Sequence, residues 1–210
     1  MFGRQIPPMP TAESALPGRA ERPFDVPQRH EVLGTPLEGP WPEGTEVLHV
    51  AMGCFWGAER IFWQLPGVVT TAAGYMGGFT PNPTYEETCT GLTGHTESVL
   101  VAYDPTRTAP DLLLKAFWEN HDPTQGPRQG NDIGTQYRSV VYFNDEDEKQ
   151  AVENAIETID SSGKYADKVV TELSPFEKFW PAEQYHQGYY NQNPNQPYCS
   201  AVVGPKISKF

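Results

Sequence analysis

Three features are scarce in this 210-residue chain. Cysteine occurs three times, at Cys54, Cys89 and Cys199, with no C-x-x-C pair. So sparse and odd a set is not a disulfide framework and does not suggest structural zinc. Positive charge is short: Lys and Arg number 15 against 27 Asp and Glu, a net charge of −12. Nucleic acid and acidic lipid surfaces attract basic patches, so neither is an expected partner. Long apolar runs are missing too. No stretch approaches the roughly 20 residues of a membrane span. The first residues, "MFGRQIPPMPTAES", lack the apolar core of a secretory signal. A cytoplasmic protein is the expectation, with nothing that requires more than a monomer.

Proline and glycine, by contrast, are plentiful at 21 and 19. Nine of the prolines fall in residues 1–45, which read as an extended arm without sustained periodicity. A catalytic domain is expected over 46–190, followed by a mobile Asn/Pro/Gly-rich tail over 191–210. Within the domain, "EVLHVAM" reads as a strand and "AERIFWQLPG" as a helix stopped by its Pro-Gly. Strands are expected at "VVTTAAGY", "TESVLVAYD", "RSVVYF" and "KVVTEL". Helices are expected at "APDLLLKAFWENHD" and "NDEDEKQAVENAIETIDSS". The second of these has an acidic first turn, as the helix dipole prefers, and Val152, Ile156 and Ile159 on one stripe. This order predicts an α+β domain: a ferredoxin-like, split β-α-β core with a mixed sheet and helices packed on it. Residues 76–95 and 122–137 are left as two long Gly/Pro-rich loops, and structureless connections of that length are usually functional.

Chemistry concentrates at "MGCFWG", residues 52–57. Cys54 is expected where a strand ends and a helix begins, with Gly53 and Gly57 freeing the backbone. A helix N-terminus favours a thiolate, the nucleophilic form of cysteine. The competing reading is a small apolar plug, because unpaired cysteine is commonly buried. Phe55 and Trp56 are each as readily core residues. Beside a nucleophile they could instead form an apolar wall for a methyl or thioether group.

"GCFWGAER" resembles the signature of the A-type peptide methionine sulfoxide reductases. So, in the same order, do "GYMGGFTPNPTYEETCTGLTGHTESVLVAYDP", "FWENHDPTQGPRQGNDIGTQYRSVVYF" and "PAEQYHQGYYNQNP". The likeness covers roughly residues 46 to 200. It implies thiol-dependent reduction of methionine S-sulfoxide, free or in proteins, with Cys54 as nucleophile and Glu97 as acid. Tyr85 and Tyr137 match hydroxyls that bind the sulfoxide oxygen, Asp132 matches a carboxylate of the same pocket, and Phe55 and Trp56 match the methyl wall. The sulfenic acid left on Cys54 would condense with a second thiol, implied to be Cys199, and thioredoxin or dithiothreitol would reduce the disulfide. No further cysteine follows Cys199, so a longer disulfide relay is not expected; Cys89 is read as structural. No bound cofactor or metal is expected, since His95, His121 and His186 lack ligand spacing. Two other readings stay open from residues alone: a Cys/His hydrolase using His95 or His186 as base, and a binding module without chemistry.

Overall fold

A computed structural model of the chain describes residues 8–197. Cys199 therefore lies outside the described residues. Six strands form one sheet: β1 (Glu46–Met52), β2 (Val68–Met76), β3 (Thr96–Tyr103), β4 (Ser139–Phe143), β5 (Glu172–Pro175) and β6 (Trp180–Pro181). Their order is β5-β4-β1-β3-β2-β6. Each neighbouring pair among the four central strands is antiparallel, and β5 runs parallel to β4, which makes the sheet mixed. Helix α1 (Phe55–Trp63) joins β1 to β2 across β3, and α3 (Pro110–Glu119) joins β3 to β4 across β1. These are the two interlocked split β-α-β units expected from the element order.

Strand alternation explains the layers. Leu48, Val50 and Met52 of β1, with Val99, Val101 and Tyr103 of β3, point to one face. There they meet Phe55, Ile61 and Phe62 of α1, Leu113 and Phe117 of α3, and Val152 of α4 (Glu146–Ser162). Each buried Leu, Val or Phe of this kind contributes about 1.5–3 kcal/mol. The α4 start follows the helix rules closely, with the Asp145 side chain accepting from the Glu148 N–H at 2.8 Å. Among the described residues no helix packs on the opposite face. Leu100 and Ala102 of β3 and Ala72 of β2 are covered by Leu37, Val26 and Trp41 of the N-terminal arm.

The arm is ordered along 8–45 without regular helix. Arg19 makes a two-pronged ion pair with Glu87, at 2.5 and 2.9 Å. Its Nη1 also donates to the Asn82 carbonyl at 2.8 Å. Thr80 Oγ1 donates to the Leu16 carbonyl and the Leu16 N–H to the Leu92 carbonyl. The arm thus holds the first long loop.

That loop is not structureless. It contains α2 (Tyr85–Cys89), opened by a full capping box in which Thr84 and Glu87 exchange bonds with each other's backbone N–H. Five residues are too few to show a 3.6-residue pattern, so only the T-x-x-E spacing marked it. The second loop holds a small hairpin, Arg128–Gln129 against Asp132–Ile133, and a 3₁₀ turn, Thr135–Tyr137. Helix α1 begins three residues earlier than its apolar stripe suggests. The strand expected at 168–173 forms later, as β5, because Val170 instead donates its N–H to the Pro123 carbonyl.

Candidate active site

Because the central strands alternate in direction, β1 and β2 end at the same sheet edge at which β3 and β4 begin. That edge receives Cys54 after β1, Tyr75 near the end of β2, Glu97 at the start of β3, and Tyr137 just before β4. Both long loops return to it, since one enters β3 and the other enters β4. The registers tie it together: Tyr75 lies opposite Glu97, and Met52 opposite Ser139.

Cys54 is the N-cap residue of α1 and is half-buried. Gly53 before it has φ +91°, and a Cβ there would lie 2.7 Å from the Gln129 side chain. Only glycine fits this turn and this approach of the second loop. The next N–H, that of Phe55, donates to Glu97 Oε2 at 3.0 Å. Glu97 is 2% exposed because strand alternation points it, like Val99 and Val101, into the apolar helix face. Burial raises its carboxyl from the usual 4.5 to about 8; the Phe55 N–H pulls it down and the Asp132 carboxylate pushes it up. Near neutral pH this carboxyl is protonated.

Phe55 is buried and Trp56 half-buried. Their surroundings are aromatic: Phe55 lies 6.4 Å from the Tyr85 ring and 5.1 Å from the His186 ring. Tyr189 stacks on Trp56 at 3.8 Å with planes 10° apart. The Trp56 indole N–H donates to His186 Nδ1 at 2.9 Å. Burial lowers the His186 imidazole to about 3, so the ring is neutral and accepts this bond. The Tyr85 and Tyr137 phenols are both held well above their ordinary range. Burial is the first cause, followed by the Glu97 charge, with Cys54 also acting on each. The structure thus gathers Cys54, Phe55, Trp56, Tyr85, Glu97, Asp132 and Tyr137 around one site. Asp132, half-buried on the hairpin, acts electrostatically on both Glu97 and Tyr137. Cys89 is an exposed residue at the end of α2 beside Tyr85, and its thiol is raised, first by desolvation and then by the Glu97 charge, while a hydrogen bond with Tyr85 lowers it.

Sequence reasoning missed three supports. Arg138, 8% exposed, donates to the carbonyls of Gly94 and Thr135, so it fastens the two long loops together. Glu183 accepts the Tyr75 hydroxyl and the Tyr85 N–H. Tyr189 supplies part of the aromatic wall. All three act through contacts distant in sequence, and only the Arg beside "TQY" offered any local hint.

The histidines do not build a hydrolase. His95 Nδ1 accepts from the Gly78 N–H at 2.9 Å, and its Nε2 lies 2.7 Å from the Thr80 carbonyl. His186 is engaged by Trp56. Among the described residues no three His, Cys, Asp or Glu side chains cluster as a metal site would require, and no helix is long and apolar enough to cross a membrane.

The family model for peptide methionine sulfoxide reductase matches residues 46–210, the whole region that carries this site. The chain belongs to the peptide methionine sulfoxide reductase family. It is 55% identical over 193 residues to the peptide methionine sulfoxide reductase MsrA of Brucella anthropi, covering 91% of this chain and 88% of that one. Methionine sulfoxide reductase A of Corynebacterium diphtheriae has the same fold, with a TM-score of 0.80 and 43% identity over 90% of this chain and 93% of that one. Mxr1 of Saccharomyces cerevisiae in its reduced form matches with a TM-score of 0.71 and 30% identity, over 77% of this chain and 92% of its own. Mxr1 has also been solved in complex with Trx2. As a peptide-methionine (S)-S-oxide reductase, the protein returns methionine sulfoxide to methionine.

Proposed function

We propose that Cys54 carries out the sulfoxide reduction with Glu97 as its acid. A sulfoxide sulfur is electrophilic, but its oxygen leaves poorly until protonated. Cys54 attacks that sulfur; the oxygen, hydrogen-bonded by the Tyr85 and Tyr137 hydroxyls, takes the Glu97 proton. Oxygen passes from the substrate to the cysteine, giving methionine and a Cys54 sulfenic acid. Phe55 and Trp56 hold the S-methyl group, and Asp132 orients water or a substrate amide. The observation that carries this reading is the buried, protonated Glu97 bonded to the N–H that follows Cys54.

Cys199 then condenses with the sulfenic acid, releasing water and forming a disulfide, which thioredoxin reduces by dithiol exchange. The capture of Mxr1 with Trx2 supports this choice of reductant. We place the cycle in the cytoplasm, where thiols are kept reduced, with no bound cofactor. The test is one equivalent of methionine sulfoxide without reductant, followed by mass spectrometry. The expected products are one methionine and one Cys54–Cys199 disulfide per protein; methionine released by Cys54→Ser would overturn the assignment. Cys199→Ser should keep the single burst and lose thioredoxin-driven cycling.

A further inference from the structure

We propose that Glu183 is a positioning residue for the reaction, acting through Tyr85; this rests on the oxygen-binding role given above to the Tyr85 hydroxyl. Glu183 touches no reacting atom in that scheme. It lies at the N-cap of a 3₁₀ turn, Gln184–His186, and is 7% exposed. Both carboxylate oxygens are engaged. Oε1 accepts the Tyr85 backbone N–H at 2.7 Å, and Oε2 accepts the Tyr75 hydroxyl at 2.7 Å.

These two bonds fix Tyr85 against the sheet. Tyr75 is fully buried and sits opposite Glu97 in the β2–β3 register, so it is as immobile as the core strands. Tyr85 begins a helix of five residues on a long loop, with no sheet hydrogen bonds of its own. Its N–H is one of the end groups that a helix cannot satisfy internally. Glu183 satisfies it and connects it through one carboxylate to the strand beside the acid. The middle of the same short helix is held separately: Glu87, which accepts the Thr84 N–H, is gripped by Arg19. Without Glu183, α2 is fixed at Glu87 but can pivot at the residue that carries the hydroxyl. A displacement of about 1 Å at such a group costs up to about a hundredfold in rate.

The prediction is a loss in kcat rather than in substrate binding, because the aromatic wall of Phe55 and Trp56 stays in place. Glu183→Ala should lower kcat about tenfold to a hundredfold with KM changed less than about threefold. Glu183→Gln retains an oxygen for the Tyr85 N–H and a donor for the Tyr75 oxygen, so it should recover most of that loss. In a Tyr85→Phe background, Glu183→Ala should cost less than about threefold, since the hydroxyl it positions is gone. Should Glu183→Ala fail to fold, Tyr75→Phe releases Oε2 alone, and its smaller kcat loss should likewise vanish in the Tyr85→Phe background.

The assay is methionine released with dithiothreitol as reductant, which takes the place of thioredoxin. Full kcat in Glu183→Ala, losses that multiply with those of Tyr85→Phe, or a Gln variant as impaired as the Ala variant would each overturn the proposal. Tyr85→Phe with unchanged kcat would overturn the role of the hydroxyl itself, and the proposal with it. A normal-sized Tyr85→Phe defect with additive Glu183 effects rejects Glu183 alone.

Discussion

Replacing Glu97 by Gln removes the proton that the sulfoxide oxygen needs while keeping an oxygen for the Phe55 N–H. The magnitude follows from burial. An ordinary glutamate at 4.5 is about 0.3% protonated at about pH 7, whereas one raised to about 8 is about 90% protonated. Sinking this side chain into the helix face therefore raises the acid's availability by about 300-fold. Because the raised value lies near 8, the supply of protons ends there. Single-turnover methionine release should fall about tenfold from about pH 7 to about pH 9, as Glu97 ionises. Glu97→Gln should be slower by about a hundredfold or more and should lack that descending limb. Released methionine, measured by chromatography without any reductant, avoids the reductant's own titration. A wild-type rate undiminished at about pH 9 would refute the reasoning, as would a Gln variant within about threefold of wild type at about pH 7.

Three further perturbations follow from the same geometry. Gly53→Ala meets both φ +91° and the Gln129 side chain at 2.7 Å. It should cost more than the roughly 1–2 kcal/mol of the left-handed backbone, lowering the melting temperature by several degrees and reducing turnover. Trp56→Phe leaves the buried His186 Nδ1 without its donor, at about 1–3 kcal/mol, and loosens the ring stack with Tyr189. KM for methionine sulfoxide should rise with kcat less affected, as steady-state kinetics would reveal. Glu59, fully buried on α1, accepts from the Thr71 hydroxyl and the Gly188 N–H, and burial raises it to about 7. Its folded-state value is above the unfolded one, so the folded form holds the extra proton. The stability it contributes is complete below about pH 4.5 and is lost as pH rises through about 7. Resistance to denaturant should therefore fall as pH rises over that window, and Glu59→Gln should flatten the dependence.

Much of the catalytic reading was available from short range because chemistry and backbone coincide there. Gly53, Cys54 and the helix start are consecutive, whereas Glu97 stood out only through the family resemblance of "GHTE", since a strand glutamate by itself reads as solvent-facing. The α4 helix announced itself through its cap and acidic first turn. The short elements did not. Helix α2 and the Arg128–Ile133 hairpin have too few residues for any periodicity to emerge, and both are held by partners more than 40 positions away or by a single turn.

Sequence by itself determined the two split β-α-β units and the residue types of the chemistry, because alternation and helical spacing are local properties of the chain. Tertiary structure decided how that chemistry is held. Antiparallel pairing brings the ends of β1 and β2 and the starts of β3 and β4 to one edge, so loops far apart in sequence share a site. Burial there, which no residue sets for itself, keeps Glu97 protonated. The C-terminal segment returns Glu183 to the backbone of Tyr85, and the arm returns Arg19 to Glu87. Hydrogen bonds of that span depend on where the whole chain goes, and no local pattern encodes them.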